Sequence, residues 1–381
     1  MKNINNRNDY LPSEDQELLL MASLMQGDTA IHAWEKWINS TNLNTIDYWT
    51  LCMLPLLMKN ISLLGISHPI MNKFKGIYRK NWFQNQLLFF ESALILDTLQ
   101  KMGIETLVLK GAVLCENYYK DLGLRHMADF DLLIHPKHFL SGVMKIIDLG
   151  WEPIDYIDDL NSNNLQYLRE VCFKSPTGKL VDLHNHIFFA SSRDDSDHEF
   201  WSKAIPFTLK NQTTLALNPT DQLFHICQHG FLWQHQNPMQ WVADAVTLLN
   251  AESNIDWKRF KELSEKWEFV LTMRKALEYL KFRMQSPIPE VIISEFQDLP
   301  ISRNDYIGFQ VQNLPEKLFT NFRRRIYLFT HFVPVNKSFI QKIVQFPRYL
   351  KHTWKTKSVF LIPFYALIKI LRRLRDNFFV I

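Results

Sequence analysis

The sequence predicts an α+β chain in which a small mixed β-sheet is flanked by helical N- and C-terminal regions. Three observations carry that reading. Glycine is scarce, at 11 of 381 residues, which disfavours a turn-rich all-β fold and favours helices. Apolar residues recur at helical spacing up to Gly103 and again beyond Asn218-Pro219. Between those points, short apolar, β-branched runs alternate with helical stretches. Hydrophobic residues at 47% and charged residues at 22% are ordinary for a folded globular protein, and the length suits two or three domains.

Taken in order, residues from about Asp15 to Gly103 read as helices. Ser13 to Gln16 fits a capping box before Leu18, Leu19 and Leu20. From Asn81 to Met102, Leu87, Leu88, Ser92, Leu94, Ile95 and Leu99 keep a helical period, and Gly103 suits the position just past the end. Ile104 to Leu109 then reads as a buried strand, Ala112 to Tyr119 as a helix, and Asp129 to Ile134 as a second strand. His135-Pro136 opens a helix that ends near Leu149-Gly150, with proline in the first turn. Trp151 to Ile154 is expected as a further strand. Leu165 to Lys174 and Lys179 to Phe188 flank a hairpin-like turn at Ser175 to Gly178. Beyond Pro219, helices are expected over Thr220 to His229, Met239 to Leu249 and Asp256 to Met284, until Pro287 and Pro289 break the pattern. The division that results is a helical region over 1–103, the sheet unit over 104–217, a helical domain over 218–321 and a basic, aromatic, helical tail over 322–381.

Charge and cysteine usage narrow the setting. Cys52, Cys115, Cys172 and Cys227 lie far apart, so neither a zinc ribbon nor a disulfide framework is suggested, and a reduced, cytoplasmic compartment fits best. The polar stretch Met1 to Asp15 has no apolar core of the kind a secretory signal carries. From Phe322 to Ile381, thirteen Lys and Arg face one acid, Asp376, a net charge of +12. With +4 for the whole chain, this leaves −8 for residues 1–321. A basic tail on an acidic body suggests an anionic partner, either a membrane surface, which would place the protein at the inner face of the membrane, or a nucleic acid. Val359 to Ile370 is too short to span a bilayer. With Lys369, Arg372, Arg373 and Arg375 it reads either as an interfacial amphipathic helix or as a docked helix with a solvated basic face.

The chemistry-bearing residues concentrate in the sheet unit. Asp129 and Asp131 alternate with Phe130 at the start of a strand, so both carboxylates point to one face. Their mutual repulsion is relieved by a divalent cation, and oxygen ligands suit Mg²⁺, which also binds substrate phosphates. Asp182, in Leu180 to His184, adds a third carboxylate if its strand neighbours the first. His184 and His186 share its face. The alternative is a set of exposed strand acids. Lys110-Gly111, between a strand and a helix, offers backbone N–H groups, close approach at glycine and a positive charge to phosphate; otherwise Lys110 is a solvated lysine. Arg125 reads either as a phosphate grip or as a structural ion pair with Asp121 or Asp129. His225 and His229 have the spacing of a zinc pair, with His235 nearby. The glutamate of the hydrolytic zinc motif is missing, so packing beside the cleft is expected instead. Trp233 and Trp241 are expected as core.

Leu109-Lys-Gly-Ala112, then Gly123-Leu-Arg-His-Met-Ala-Asp-Phe-Asp-Leu-Leu133, then Val181-Asp-Leu-His184 resemble, in that order, the family of uncharacterised bacterial nucleotidyltransferases, whose pattern reads LKG, RpmgDiDLLV and vDLHw. Asp221 to His229 and Trp241-Val-Ala-Asp244 are similar to that family's downstream domain. The resemblance covers roughly residues 80–250. It implies the polymerase-β-like superfamily: a mixed-sheet palm, three catalytic acids at Asp129, Asp131 and Asp182, and two Mg²⁺ ions, with Mn²⁺ as a substitute. Better-studied members have Gly-Ser at the nucleotide-gripping turn, where this chain has Lys110-Gly111, and the gap from Gly111 to Asp129 is long. The implied activity moves a nucleoside monophosphate from an NTP to an acceptor hydroxyl, with pyrophosphate released. The acceptor is a small molecule, a protein or an RNA. The other classes to weigh are a non-catalytic nucleotide-binding or protein-interaction module and a toxin-like enzyme that nucleotidylates a protein or RNA.

Overall fold

The N-terminal helices form where caps and apolar periodicity place them. Helix α1 (Glu14–Leu24) opens on the expected capping box: the Ser13 hydroxyl accepts from the Gln16 amide and the Gln16 side chain accepts from the Ser13 amide. Helices α2 (Gly27–Ser40) and α3 (Tyr48–Leu63) follow, the latter capped by the Asp47 carboxylate on the Trp49 and Thr50 amides. Helix α4 (Met71–Lys101) runs 31 residues, ten longer at its start than the periodicity alone indicated, and Gly103 ends it at φ 71°. This is a computed structural model, which describes residues 11–154, 170–188, 197–233, 238–313 and a discontinuous part of 326–368.

The chain then turns to sheet. Strand β1 (Thr106–Val108) is shorter than the run 104–109, although the Leu109 amide still donates to the Asp131 carbonyl at 3.0 Å. Helix α5 (Gly111–Val113) continues as a π-helical stretch, Leu114–Tyr119, so the expected helix is present with a widened second half. Strand β2 (Asp129–Ile134), a 3₁₀ turn with Pro136 in its first position and α6 (Phe139–Asp148) follow as the sequence predicts. Strand β3 is Glu152–Pro153. Strands β4 (Glu170–Lys174) and β5 (Leu180–His184) pair about a turn with Gly178 at φ 88°. The ladder of β5 stops at His184, short of Phe188, and residues 155–169 lie outside the described part. After the short α7 (His198–Trp201) comes a hairpin that the sequence reading did not identify, β6 (Ile205–Leu209) and β7 (Gln212–Ala216). Its two-residue turn, Lys210-Asn211, holds both φ angles positive, at 47° and 70°.

The strands order as β3-β4-β5-β2-β1-β7-β6 in one mixed seven-stranded sheet. β5 and β2 run parallel, β1 is antiparallel to β2, and β7 is parallel to β1. Period-two alternation gives the sheet two apolar faces. Phe130, Leu132, Ile134, Val171, Phe173, Val181 and Leu183 share one core with Leu88, Ile95 and Leu99 of α4 and Val143 and Ile146 of α6. Leu107, Leu109 and Leu133 share the other core with the remaining helices.

Those helices are α1–α3 and the first turns of α4, with α8 (Pro219–Trp233), α9 (Pro238–Ala251), α10 (Trp257–Lys266), α11 (Val270–Phe282), α12 (Glu290–Asp298) and α13 (Arg303–Asn313). The helical stretch expected over 256–284 is divided into two helices, because Glu268 takes φ 55° between α10 and α11. Helices α8 and α9 meet so closely at Gly230 that an added Cβ would sit 2.0 Å from the Trp241 Cβ. Trp241 is core, as expected, at 1% exposure. The Trp233 side chain, His235 and residues 369–381 lie outside the described part.

Candidate active site

The site is built on the β2–β5 pair. In-register parallel pairing sets Asp131 opposite Asp182 and Leu133 opposite His184, so Asp131, Asp182 and His184 share one face. Phe130 points the other way into the core, at 1% exposure, and fixes that alternation. Asp131, Asp182 and His184 each offer a ligand atom, and those atoms all lie within 4.8 Å of one another.

Asp131 is the centre of the cluster. Its Oδ1 accepts from Lys110 Nζ at 2.6 Å and lies 3.0 Å from His184 Nε2. The other nitrogen of His184, Nδ1, is 3.3 Å from Glu170 Oε2 on the neighbouring strand. Burial alone would raise the Asp131 pKa, but the Lys110 ammonium and the His184 bond hold it well below the usual carboxylate range. Asp182 goes the other way: burial and the nearby Asp131 charge push it up. Its Oδ1 is buried without a hydrogen-bond partner. An orphaned carboxylate oxygen beside a second carboxylate and an imidazole is a donor set that a divalent cation satisfies.

Asp129 lies on the same strand face but outside this group. It pairs opposite Leu180, one step along the strand from Asp131, as His184 is one step along its own strand from Asp182 on the other side of the pair. Burial and the Asp131 charge raise its pKa to about 7. In the metal-free protein the folded state therefore binds this proton more tightly than the unfolded chain does. The contribution is fully present below the unfolded value near 4 and is lost as pH rises through about 7. Buried histidines such as His225, depressed to about 3 by burial, titrate with the opposite sign, so the net slope mixes several groups. The difference between Asp129→Asn and the parent isolates Asp129. Urea melts without divalent ions should show the variant gaining on the parent from pH 4 to pH 7 and levelling off above. A pH-independent difference would place Asp129 in solvent.

Lys110 is not the solvated lysine of the simpler sequence reading. It is 23% exposed and ion-paired to Asp131, which outweighs the burial that would lower its pKa. Its backbone has φ 50° and ψ −122°, a conformation that non-glycine residues rarely hold, between β1 and α5. Gly111 follows, and the space a Cβ would need there is filled by Arg125, whose Nη1 would lie 2.5 Å away.

Arg125 takes the ion-pair alternative, with a partner that neither sequence reading named. Its Nε and Nη2 donate to the two carboxylate oxygens of Asp244 on α9, each at 2.8 Å. Tyr119 and Gln240 donate to the same carboxylate at 2.9 and 3.1 Å. Asn85 of α4 donates to the carbonyls of Leu122 and Arg125. The Trp241-Val-Ala-Asp244 stretch thus ties the helical domain to the long connection before β2. A signal was available in the sequence: an isolated acid on the apolar helix 239–249 must find a partner when buried.

His225 and His229 sit on one face of α8 with ring centroids 5.9 Å apart, and burial, reinforced by Lys110, keeps both neutral. Neither belongs to the cation-capable cluster found among the described residues. His186, just past β5, pairs with Asp197 at 2.8 Å instead of joining His184.

The sequence matches the family described as uncharacterised nucleotidyltransferase over residues 52–284. No curated protein matches it. Among solved structures, an antigenic nucleotidyltransferase-like protein from Paracoccidioides brasiliensis aligns at 14% identity and a TM-score of 0.38, covering 55% of this chain and 96% of that one.

Proposed function

The chain belongs to the uncharacterised nucleotidyltransferase family, and from that premise we propose that it transfers a nucleoside monophosphate from an NTP to an acceptor hydroxyl. The observation that carries the reading is the register of β2 and β5, which sets Asp131 beside Asp182 with His184 in reach of both. In the proposed step the acceptor oxygen attacks the α-phosphorus, the bond to the bridging oxygen breaks, and pyrophosphate leaves with the electron pair. Asp131, Asp182 and His184 would hold a divalent cation, with Asp129 two residues before Asp131 on the same strand face. A cation there supplies charge neutralisation at the triphosphate and acidifies the acceptor hydroxyl. All-oxygen ligation favours Mg²⁺, whereas a set that includes His184 also suits Mn²⁺. Asp182, beside the proposed cation, would take the acceptor proton. Lys110 and the turn at Gly111 would receive the phosphates. The acceptor belongs to one of three classes: small molecule, protein or RNA.

Incubating the protein with each α-labelled NTP, Mg²⁺ or Mn²⁺ and cell extract tests this. Label transferred to an acceptor, with matching pyrophosphate release, is the expected result. Absence of both with every NTP and both metals would sink the catalytic reading and leave a binding module.

Lys110→Ala should weaken NTP binding by about 1.5–3 kcal/mol, the value of a charge-assisted hydrogen bond. It should also lower the stability of the metal-free protein, because the buried Asp131 loses its cation, and divalent ions should restore that loss. Calorimetric titration at fixed Mg²⁺ reads the first effect. An unchanged dissociation constant would remove Lys110 from the phosphate site.

A further inference from the structure

Residues 358–368 carry a surface that the proposed reaction does not use. Val359 to Leu361 form a 3₁₀ turn that continues as helix through 362–368, with Pro363 tolerated in the first turn. One side of this segment is fixed: Ile362 is buried in a small cluster with Phe329, Tyr349 and Leu350, and Val359 packs against it. The other side is apolar too, yet it faces solvent. Phe364 is 62% exposed and Leu367 51%, i and i+3 on the helix, and Phe360, on the 3₁₀ turn before it, is 93% exposed. A second apolar stripe of this kind on a docked helix marks an interaction surface.

The charge that flanks the stripe in the sequence selects the partner. Lys351, Lys355 and Lys357 precede it and Lys369, Arg372, Arg373 and Arg375 follow, with Asp376 alone on the acidic side from residue 322 onward. Exposed Phe and Leu flanked by Lys and Arg match a lipid interface, where rings and aliphatic chains enter the headgroup boundary and the cations meet anionic headgroups. A nucleic acid would use the cations and the rings, but would leave Leu361 and Leu367 without a role. Among the described residues no helix is long and apolar enough to cross a membrane, so the segment would lie on the surface. We propose that the 359–368 segment, which basic residues flank in the sequence, is an anionic-lipid docking surface that seats the protein on a membrane by Phe360, Phe364 and Leu367.

The test uses the full chain in sedimentation with phosphatidylserine/phosphatidylcholine vesicles and with phosphatidylcholine alone, beside a fluorescent single-stranded RNA. The expected result is binding to the anionic vesicles only, weakened by salt and reduced roughly tenfold or more in Phe360→Ser/Phe364→Ser, whose exposed positions leave the fold intact. NTP turnover in solution should be the same in parent and variant, so this test is independent of the proposed reaction. No binding to anionic vesicles, vesicle binding unchanged in the double variant, or binding to RNA but not to vesicles would each overturn the proposal.

Discussion

Asp131→Asn is expected to reduce the proposed metal-dependent NTP turnover by on the order of 10³-fold while leaving the fold in place. Loss of groups that merely orient metal ligands costs roughly 10–100-fold, and Asp131 stands one step closer to the proposed cation than such groups do. Its Oδ1 accepts from Lys110 and lies beside His184, and its partner across the strand pair is Asp182. Asparagine keeps the shape and one acceptor oxygen but removes the charge on which Lys110 and a divalent ion both depend. The fold should tolerate this, because the same change removes repulsion from Asp129 and Asp182, both pushed up by the Asp131 charge. Asp129→Asn should be milder than Asp131→Asn, since its carboxylate lies outside the group of mutually close ligand atoms. Pyrophosphate release measured against Mg²⁺ and Mn²⁺, with a thermal melt as the folding control, reads both variants. Turnover within a few-fold of the parent in Asp131→Asn would mean that the cluster is not the reaction centre.

Much of this site was legible in the sequence because strand periodicity is a strict rule. Asp-Phe-Asp on an apolar strand fixes two carboxylates on one face, and Phe130 in the core is the physical reason the register cannot slip. Sequence could not say that the two acid-bearing strands are parallel neighbours in register, because the 45 residues between Ile134, the end of β2, and Leu180 include two strands and a helix whose packing sets that adjacency. It grouped Asp129 with Asp131 and Asp182, and it placed His184 on the face of Asp182 without making it a ligand, whereas the mutually close ligand atoms among the described residues are those of Asp131, Asp182 and His184. The β6–β7 hairpin was missed for a different reason. Its turn, Lys210-Asn211, has no glycine although both residues hold positive φ, so the usual hairpin signature is absent. Glu268 hides the break between α10 and α11 in the same way. The caps at Ser13, Asp47 and Gly103 are local devices, and of these Ser13 and Gly103 were readable from neighbouring residues alone.

Asp244→Ala should be the most damaging single change to stability, by about 3–5 kcal/mol, the cost of leaving one member of a buried ion pair without its partner. Arg125 and Asp244 are 10% and 6% exposed, and the pair is bidentate, so little of the interaction is screened by solvent. Alanine would strand more than the guanidinium. Tyr119 and Gln240 donate to the same carboxylate and would lose their acceptor. The damage should also reach the site, because Arg125 fills the space over Gly111 and Gly111 follows Lys110. Urea unfolding of the parent, Asp244→Ala and the double variant Arg125→Met/Asp244→Leu separates the terms. If the cost is the stranded charge, the double variant should recover most of the loss, since it removes both charges and keeps volume. It should still show impaired turnover if the pair also positions the Lys110–Gly111 turn. A loss below about 1 kcal/mol in Asp244→Ala, the range of a solvated surface pair, would show that this clamp does not hold the helical domain to the sheet.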